Sequence, residues 1–386
     1  MKTIEPGETD GFKVRLKTQT WAEGLIFVIA MWLLSRLVII VAMQLLAPVS
    51  HIPPVTHSGT LPLDYTPGFV PQSSWNLFAH WDGAWYRKIA TLGYDYAPDG
   101  KYHSIAFFPL FPLAIRAVMS LSLPSQIAGT LVNNLALLGA LWLLYRWAED
   151  RYSVSVARWA TAVLAWCPFS LYGTVVYSEG LFLLVTTAAL RSFDQGQYAK
   201  AALWGALATA TRSTGVALIP AFVIVAWKEK RPTIAYIAGF VAMGGLLLFS
   251  LYCAIDFADP LAFVHVQQAW KWQHPNWLRV LIKALKLDEE NLLRVVTFWG
   301  GGYLLWHLRT KLPPVAVAYG FCSLGIVLAT GSLSSVSRYV YGIVSISLAL
   351  GWLFASHPRW GYLTLGLFAV MLVRFGLRFA WWYWVA

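Results

Sequence analysis

Asn76–Tyr94, NLFAHWDGAWYRKIATLGY, lies in the longest polar interval between the hydrophobic segments of the chain, and it places an acid where membrane meets water. Read as a helix at about 100° per residue, it puts Phe78, Trp81, Trp85, Ile89 and Leu92 on one face. His80, Arg87 and Thr91 fall opposite, and Asp82 sits on the shoulder with Tyr86 one turn further on. Asn76 or Ser74 can cap the start, and Gly93 fits the stop. Trp and Tyr favour the interfacial zone, because each ring is apolar at one end and wet at the other. The pattern predicts a helix lying on a membrane surface and offering one carboxylate to whatever arrives there. An amphipathic surface helix with a solvated Asp has the same spacing.

Composition makes the membrane reading firm. The 386 residues are 58% hydrophobic and only 12% charged, where a soluble domain has about 25% charged residues. Mean hydropathy is +0.58. This is an all-α polytopic membrane protein, with residues 21–386 expected as a single membrane domain behind a polar cytoplasmic tail, residues 1–20, that carries Lys2, Lys13, Arg15 and Lys17. That tail lacks the short apolar core and small-residue cleavage site of a signal peptide. The net charge of +11 is explained by cytoplasmic loops and lipid headgroups, without nucleic acid as a partner. Cys167, Cys253 and Cys322 all lie in apolar segments and suggest neither a disulfide framework nor a metal site. The 21 Trp and 18 Tyr exceed what interfacial belts need, and aromatic faces in polar loops suit sugars or lipid chains.

Outward from the opening stretch, the long first outer loop runs over residues 47–126. It ends in AFFPLFPLAIR, Ala106–Arg116, too short and too broken by Pro109 and Pro112 for a span; it is expected as an interfacial or re-entrant element. Before it, Leu25–Leu46 is long enough to cross, since roughly 20 residues span the hydrocarbon. Arg36 within it needs a partner, a wet cavity or a route to the surface. After the loop come Ile127–Trp147, Ala157–Tyr177 with Pro168 inside it, and the short segments Gly180–Leu190, Ala201–Thr211 and Gly215–Trp227. Thr233–Ile255 leads into a second outer loop, residues 256–291, rich in Trp and His. Leu292–Leu308, Val315–Thr330, Tyr339–Ala355 and Tyr362–Trp384 complete about eleven spans, with the N-terminus cytoplasmic and both large loops on the outer side. No internal repeat is visible, which argues against a transporter of the inverted-repeat kind.

Four polar features lie at outer-side depth: His80-Trp81-Asp82, Tyr177-Ser178-Glu179, Thr211-Arg212-Ser213 and Ser337-Arg338-Tyr339. Arginines near lipid imply a countercharge or an anionic ligand, and a guanidinium grips a phosphate with two parallel hydrogen bonds. Arg212 and Arg338 are therefore candidate phosphate ligands, with a structural pair such as Arg212–Glu179 as the alternative. Asp82, with no competing acid close by, suits one-base chemistry: removal of a proton from an alcohol attacking an activated carbon. His80 and Asp82 are two apart and do not face each other on a helix, so no metal is expected there. No Gly-rich nucleotide loop or Walker motif is present.

Several blocks, in order and spacing, resemble a known family. They are HWDGAWYRKIATLGY (His80–Tyr94), AFFPLFPLAIR, CPFSLYGTVVYSEGLFLL (Cys167–Leu184), LWGALATATRSTGVALIP (Leu203–Pro220), DPLAFVHVQQAWKW (Asp259–Trp272) and SRYVYG (Ser337–Gly342). Running through nearly the whole chain, they make it similar to a bacterial-type member of the GPI mannosyltransferase II (PIG-V-like) family, in the GT-C class of integral membrane glycosyltransferases. The resemblance implies inverting transfer of a hexose, mannose first, from a polyprenyl-phosphate sugar to a glycan or lipid acceptor on the outer face of a bacterial plasma membrane. It needs no cofactor. It implies Asp82 as the essential acid of the first outer loop. The expected mechanism sets Arg338 and Arg212 on the donor phosphate and His80, Trp81, Trp85, Tyr86, Glu179, Tyr339 and Trp270 around the substrates. Eukaryotic relatives act with a partner subunit on a GPI acceptor; nothing in the residues indicates GPI, so the acceptor assignment does not carry over, and no protein partner is named. A transporter or flippase of a lipid-linked anion is the rival from another class; it would not need a long outer loop centred on one acid.

Overall fold

The computed structural model describes residues 6–50, 69–269, 277–330 and 335–385, and among these there is no strand. Helix α1 runs Pro6–Val41, so the expected tail is helical from Pro6 onward. The first long loop holds α2 (Asp82–Leu92) and α3 (Leu110–Met119). Then follow α4 (Ser125–Arg151), α5 (Val154–Trp166), α6 (Glu179–Asp194), α7 (Tyr198–Thr211) and α8 (Leu218–Lys228). The chain continues through α9 (Thr233–Val241), α10 (Gly244–Phe257) and the single turn α11 (Ala262–His265). The remainder is α12 (Trp277–Leu285), α13 (Glu289–Val295), α14 (Gly301–His307), α15 (Pro314–Thr330), α16 (Val336–Tyr341), α17 (Val344–Ser356) and α18 (Pro358–Ala380).

Each of the predicted span segments is helical, but several are interrupted. By length and apolarity, four stretches among the described residues can cross a bilayer unaided: Trp21–Val49, Ser125–Arg151, Thr233–Phe257 and Pro358–Ala380. Others, such as Val154–Trp166 and Val344–Ser356, are apolar but shorter. Helix α4 is the centre of the packing, lying against α1, α3, α5 and α6, while α5 packs on α17 and α6 on α7. Lipid removes the hydrophobic drive between helices, so close approach through small residues takes its place. A Cβ on Gly180 would lie 2.3 Å from the Asn133 carbonyl oxygen of α4, and one on Gly245 would lie 2.1 Å from that of Ala206 in α7.

The interruption that matters most follows α5. Pro168 cannot continue a helix, and Cys167 before it is pushed out of the helical region, at ψ 135°. The chain makes a 3₁₀ turn over Pro168–Gly173 and reaches α6 by an irregular buried path. Backbone groups buried this way need internal partners. Arg36 supplies several: Nη1 donates to the Ser170 carbonyl (2.7 Å) and Thr174 Oγ1 (2.6 Å), and Nη2 to the Ala165 carbonyl (3.0 Å) and Ser170 Oγ (2.8 Å). Asn133 Nδ2 donates to the carbonyls of Tyr172 and Val175, both at 2.7 Å, and its Oδ1 accepts from the Gly180 N–H at 2.7 Å. Arg36 thus neither snorkels nor lines a wet cavity; it is 3% exposed and clasps the unwound segment.

The opening stretch departs from one continuous helix. A 3₁₀ turn spans Trp75–Ala79, the chain breaks at His80–Trp81, and α2 begins only at Asp82. Nor does α2 lie open on a surface: Gly83, Ala84, Trp85, Tyr86, Ile89 and Ala90 are buried, because α3 and α4 cover it. His80, placed on the polar face by periodicity, is buried as well, whereas Leu92, placed on the apolar face, is 81% exposed. Gly93 ends the helix as expected, at φ 90°, and Arg116 donates to the terminal carbonyls of Ala90 (2.9 Å) and Ile89 (3.1 Å).

Candidate active site

The break before α2 sets the geometry of the site. Trp81 takes φ 56° and ψ −120°, a conformation costly for a residue with a side chain and found where surroundings over-determine the backbone. It turns the chain so that Asp82 becomes the first residue of an 11-residue helix, where a negative charge is stabilised by the helix N-terminus. The Asp82 N–H donates to the Tyr177 hydroxyl at 3.2 Å, and the Val176 N–H donates to the Phe78 carbonyl at 2.8 Å. The unwound segment clasped by Arg36 and Asn133 therefore also anchors the start of α2.

At this junction four charges meet. Arg338 Nη1 donates to Asp82 Oδ2 at 2.7 Å, and its Nε lies 3.3 Å from Glu179 Oε1. Arg212 Nη1 donates to the same Glu179 oxygen and, at 3.2 Å, to Ser178 Oγ. Their side chains are 15% (Asp82), 2% (Glu179), 11% (Arg212) and 6% (Arg338) exposed. The result is a chain, Asp82–Arg338–Glu179–Arg212, of two anions and two cations. Aromatic faces surround it: the Arg338 guanidinium carbon lies 5.3–5.7 Å from the rings of Tyr172, Tyr177, Tyr339 and Trp384. Arg212 lies over Phe182 and Tyr339. The second oxygen of Glu179, Oε2, is buried without a hydrogen-bond partner among the described residues.

Asp82 is therefore not a lone acid. Glu179, about 100 positions away in sequence, is tied to the same guanidinium, a proximity that spacing could not reveal. The Arg212–Glu179 pair left open by the sequence is present. Tyr86 joins the site through its hydroxyl, 2.9 Å from Ser178 Oγ, and Tyr339 supplies the ring shared by both arginines. Trp81 packs against Trp382 and Trp384, with ring centroids 5.7 and 5.2 Å apart. Trp85 faces elsewhere, stacked at 5.9 Å on Phe107. His80 is held by protein: it stacks on Trp382 at 4.0 Å, and Nδ1 lies 3.2 Å from the Phe379 carbonyl. Burial pushes its pKa down to about 4, partly offset by that hydrogen bond, so the ring is neutral near pH 7 and Nδ1 carries the donated proton. Trp270 lies outside the described residues. Tyr172, Trp382 and Trp384 were not singled out by sequence; the run WWYW at Trp381–Trp384 was the available signal.

Among the described residues, no group of three or more His, Cys, Asp or Glu side chains is arranged to hold a metal. A separate polar cluster closes the two long loops on each other. His103 bridges Asp95 (3.1 Å) and Asp99 (2.8 Å), while Tyr96 donates to Asp259 Oδ2 at 2.8 Å and His265 Nδ1 approaches the same oxygen at 2.8 Å.

Comparison with known proteins agrees with this architecture. Residues 24–230 match the family model described as Mannosyltransferase (PIG-V). The chain is 30% identical over 163 residues to human GPI alpha-1,6-mannosyltransferase 2, a match taking in 39% of this chain and 32% of the human protein. The Cricetulus griseus protein of the same name is 30% identical over 151 residues, 36% of this chain and 29% of that one. The chain thus spans about a third of these relatives' length in each match. Among solved structures, ArnT from Cupriavidus metallidurans in the apo state superposes with a TM-score of 0.53 at 14% identity, covering 91% of this chain and 63% of ArnT. The form bound to undecaprenyl phosphate gives 0.51 at 14% identity, with 88% and 62% covered. The fold is therefore the GT-C-type membrane fold.

Proposed function

The chain belongs to the mannosyltransferase (PIG-V) family, and from that premise we propose that it is an integral membrane glycosyltransferase that moves a hexose, mannose first, from a polyprenyl-phosphate sugar to a glycan or lipid hydroxyl on the outer face of a bacterial plasma membrane. One observation carries the reading: Asp82, Arg338, Glu179 and Arg212 form a single charge-paired chain in an aromatic surround. The undecaprenyl phosphate bound by ArnT supports a lipid phosphate as leaving group.

The reaction conserves charge across this chain. Asp82 accepts the proton of the acceptor hydroxyl as that oxygen bonds to the anomeric carbon. The bond from that carbon to the phosphate oxygen breaks on the opposite face, inverting the centre. Polyprenyl phosphate leaves with one more negative charge, and Asp82 becomes neutral. Arg338, whose hold on Asp82 weakens as the carboxylate gains its proton, turns its charge to the departing phosphate. Arg212 stands on the other side of Glu179 as a second cation for that phosphate. Glu179 keeps the two guanidiniums together and offers Oε2 to a sugar hydroxyl. Trp81, Tyr86 and Tyr339 shape the sugar site. His80 and Trp85 hold the loop that carries Asp82.

The test is a transfer assay in detergent with polyprenyl-phosphate mannose and a mixed glycan and lipid acceptor pool. Asp82→Asn is expected to lose about 10²–10⁴-fold in turnover, the usual contribution of a positioned base, while folding as the parent does. Equal turnover by both proteins would move the base elsewhere, to Glu179 first. Release of lipid phosphate together with a product heavier by one hexose separates an enzyme from a flippase.

A further inference from the structure

Helix α12, in the second outer loop, has three distinct faces. At about 100° per residue, Leu278, Leu281, Ile282 and Leu285 share one sector, Arg279, Lys283 and Lys286 the next, and Val280 and Ala284 the third. The third sector faces the protein: Val280 and Ala284 are 6% exposed each, and Trp277 beside them packs on Phe298 at 4.9 Å. The leucine sector faces outward, with Leu278 at 66%, Ile282 at 47% and Leu285 at 84% exposed. The basic sector is exposed as well.

The level of α12 relative to the bilayer can be read from its neighbours. The span that follows exposes Leu292, Val296, Trp299, Tyr303 and Trp306, an apolar stripe at helical spacing that marks its lipid-facing side. Just above that stripe, the ion pairs Arg374–Glu289 and Arg378–Glu290 tie α13 to the last turns of α18, with half-exposed carboxylates. Such pairs mark where the helices leave hydrocarbon. Helix α12 ends at Leu285, four residues before Glu289, and runs back along α13 with Trp277 beside Phe298 and Trp299, which sets its exposed leucines next to the lipid-facing stripe. The acids that follow are engaged: Glu289 and Glu290 by arginines, and Asp288, which faces Lys283, by the Asn291 N–H and amide.

We propose that α12 is a monotopic foot: its leucine face sits in the acyl boundary of the outer leaflet and its basic face binds the phosphates of anionic phospholipid headgroups. Exposed leucines beside a lysine stripe, next to a lipid-facing surface and near the paired charges that mark its edge, fit that partner in both polarity and charge. The foot joins the second outer loop to the span whose start, α13, packs on Arg338-bearing α16, so lipid contact there is coupled by packing to the charge-paired chain.

The experiment is site-directed spin labelling of the full-length protein in phosphatidylcholine nanodiscs with and without phosphatidylglycerol. Labels at positions 278 and 285 should collide with oxygen far more than with a water-soluble nickel chelate, and a label at 283 should show the reverse. Phosphatidylglycerol should deepen positions 278 and 285, and K283Q/K286Q should lose that response while keeping oxygen contact. Equal access of the nickel reagent to all three positions would place α12 in water and overturn the proposal. Exclusion of both reagents at 278 and 285 would also overturn it, in favour of a protein surface such as a second copy. Neither readout depends on transfer activity.

Discussion

Arg338→Gln tests the central arrangement through its thermodynamics as well as its chemistry. Removing the guanidinium leaves Asp82 without its 2.7 Å partner and Glu179 with Arg212 alone. Asp82 is 15% and Arg338 6% exposed, so little solvent screening remains. The bare Coulomb attraction at that separation is about 6 kcal/mol at an effective dielectric of 20, but desolvation consumes part of it. Breaking one buried pair usually costs about 3–5 kcal/mol, mostly because a charge is left behind. Because Glu179 keeps a partner, the lower end, about 3 kcal/mol, is expected. Asp82→Asn in the same chain removes the stranded charge, and D82N/R338Q should regain about 2 kcal/mol of that loss. The assay is a double-mutant cycle of unfolding midpoints in mixed detergent micelles, with transfer measured on the same samples. Stability should be rescued in the double variant and transfer should not, because the proposed base and the proposed phosphate ligand are then both missing. Additivity of the two single changes within about 0.5 kcal/mol would show that the two side chains are not paired in the folded protein, and the proposed handover of charge from Asp82 to phosphate would fall with it.

Gly180→Ala should destabilise by about 1–3 kcal/mol and lower transfer together, since the new Cβ would meet the Asn133 carbonyl at 2.3 Å beside Glu179; an unchanged unfolding midpoint would sink this. The loop cluster predicts a pH window. Partial burial pulls the His103 pKa down, but hydrogen bonds to Asp99 and Asp95 more than offset it, and the net shift is upward. Burial raises Asp95, yet Ser104, Lys88 and His103 bring it well below the usual carboxylate range, and Asp99 is lowered chiefly by His103. The His103 contribution is complete below the ordinary imidazole value of about 6.5 and is lost as pH rises through the raised value. The carboxylate contribution is present above about 4 and is lost as pH falls through the lowered values. Amide exchange across 95–104 should therefore be slowest between these limits and speed up toward pH 8.5 beyond the intrinsic base-catalysed rate. His103→Gln should remove that extra acceleration, and its persistence would assign it to another group.

The parts of this protein that composition and apolar runs can encode were readable: the all-helical membrane architecture, the helical segments themselves, and the four polar features at Asp82, Glu179, Arg212 and Arg338. What periodicity could not encode was tertiary override. Asn76–Gly93 has an unbroken amphipathic pattern, yet Trp81 breaks it, because the segment is held from both sides by the Val176–Phe78 and Tyr177–Asp82 hydrogen bonds. The same contacts explain why Asp82 begins a helix instead of riding its shoulder. His80 reads as polar and proved buried because the rings of Phe379 and Trp382, some 300 positions away, stack on it. Glu179 looked remote from Asp82 for the same reason: the guanidinium that brings them together comes from a third place in the chain.

Arg36 shows how the site keeps its charges available. An unwound segment inside a bilayer protein must satisfy its carbonyls internally, because lipid offers no donors. A neutral side chain such as Asn133 can do part of this with two N–H groups, and it does so at Tyr172 and Val175. Arg36 brings five donors in one rigid fork and reaches Ala165, Ser170 and Thr174 at once. Its charge is spread over carbonyl and hydroxyl dipoles, with no carboxylate among its hydrogen-bond partners in the described residues. A carboxylate drawn toward Arg36 would compete with the pairing at Arg338 and Arg212, and the nearest acid along the clasped segment is Glu179 itself. Holding the segment through dipoles fixes the backbone that carries Tyr177 and Glu179 while leaving Asp82 and Glu179 committed to Arg338 and Arg212. The first helix and the candidate-site segment are thereby joined by a cation that stands outside the proposed charge balance of transfer.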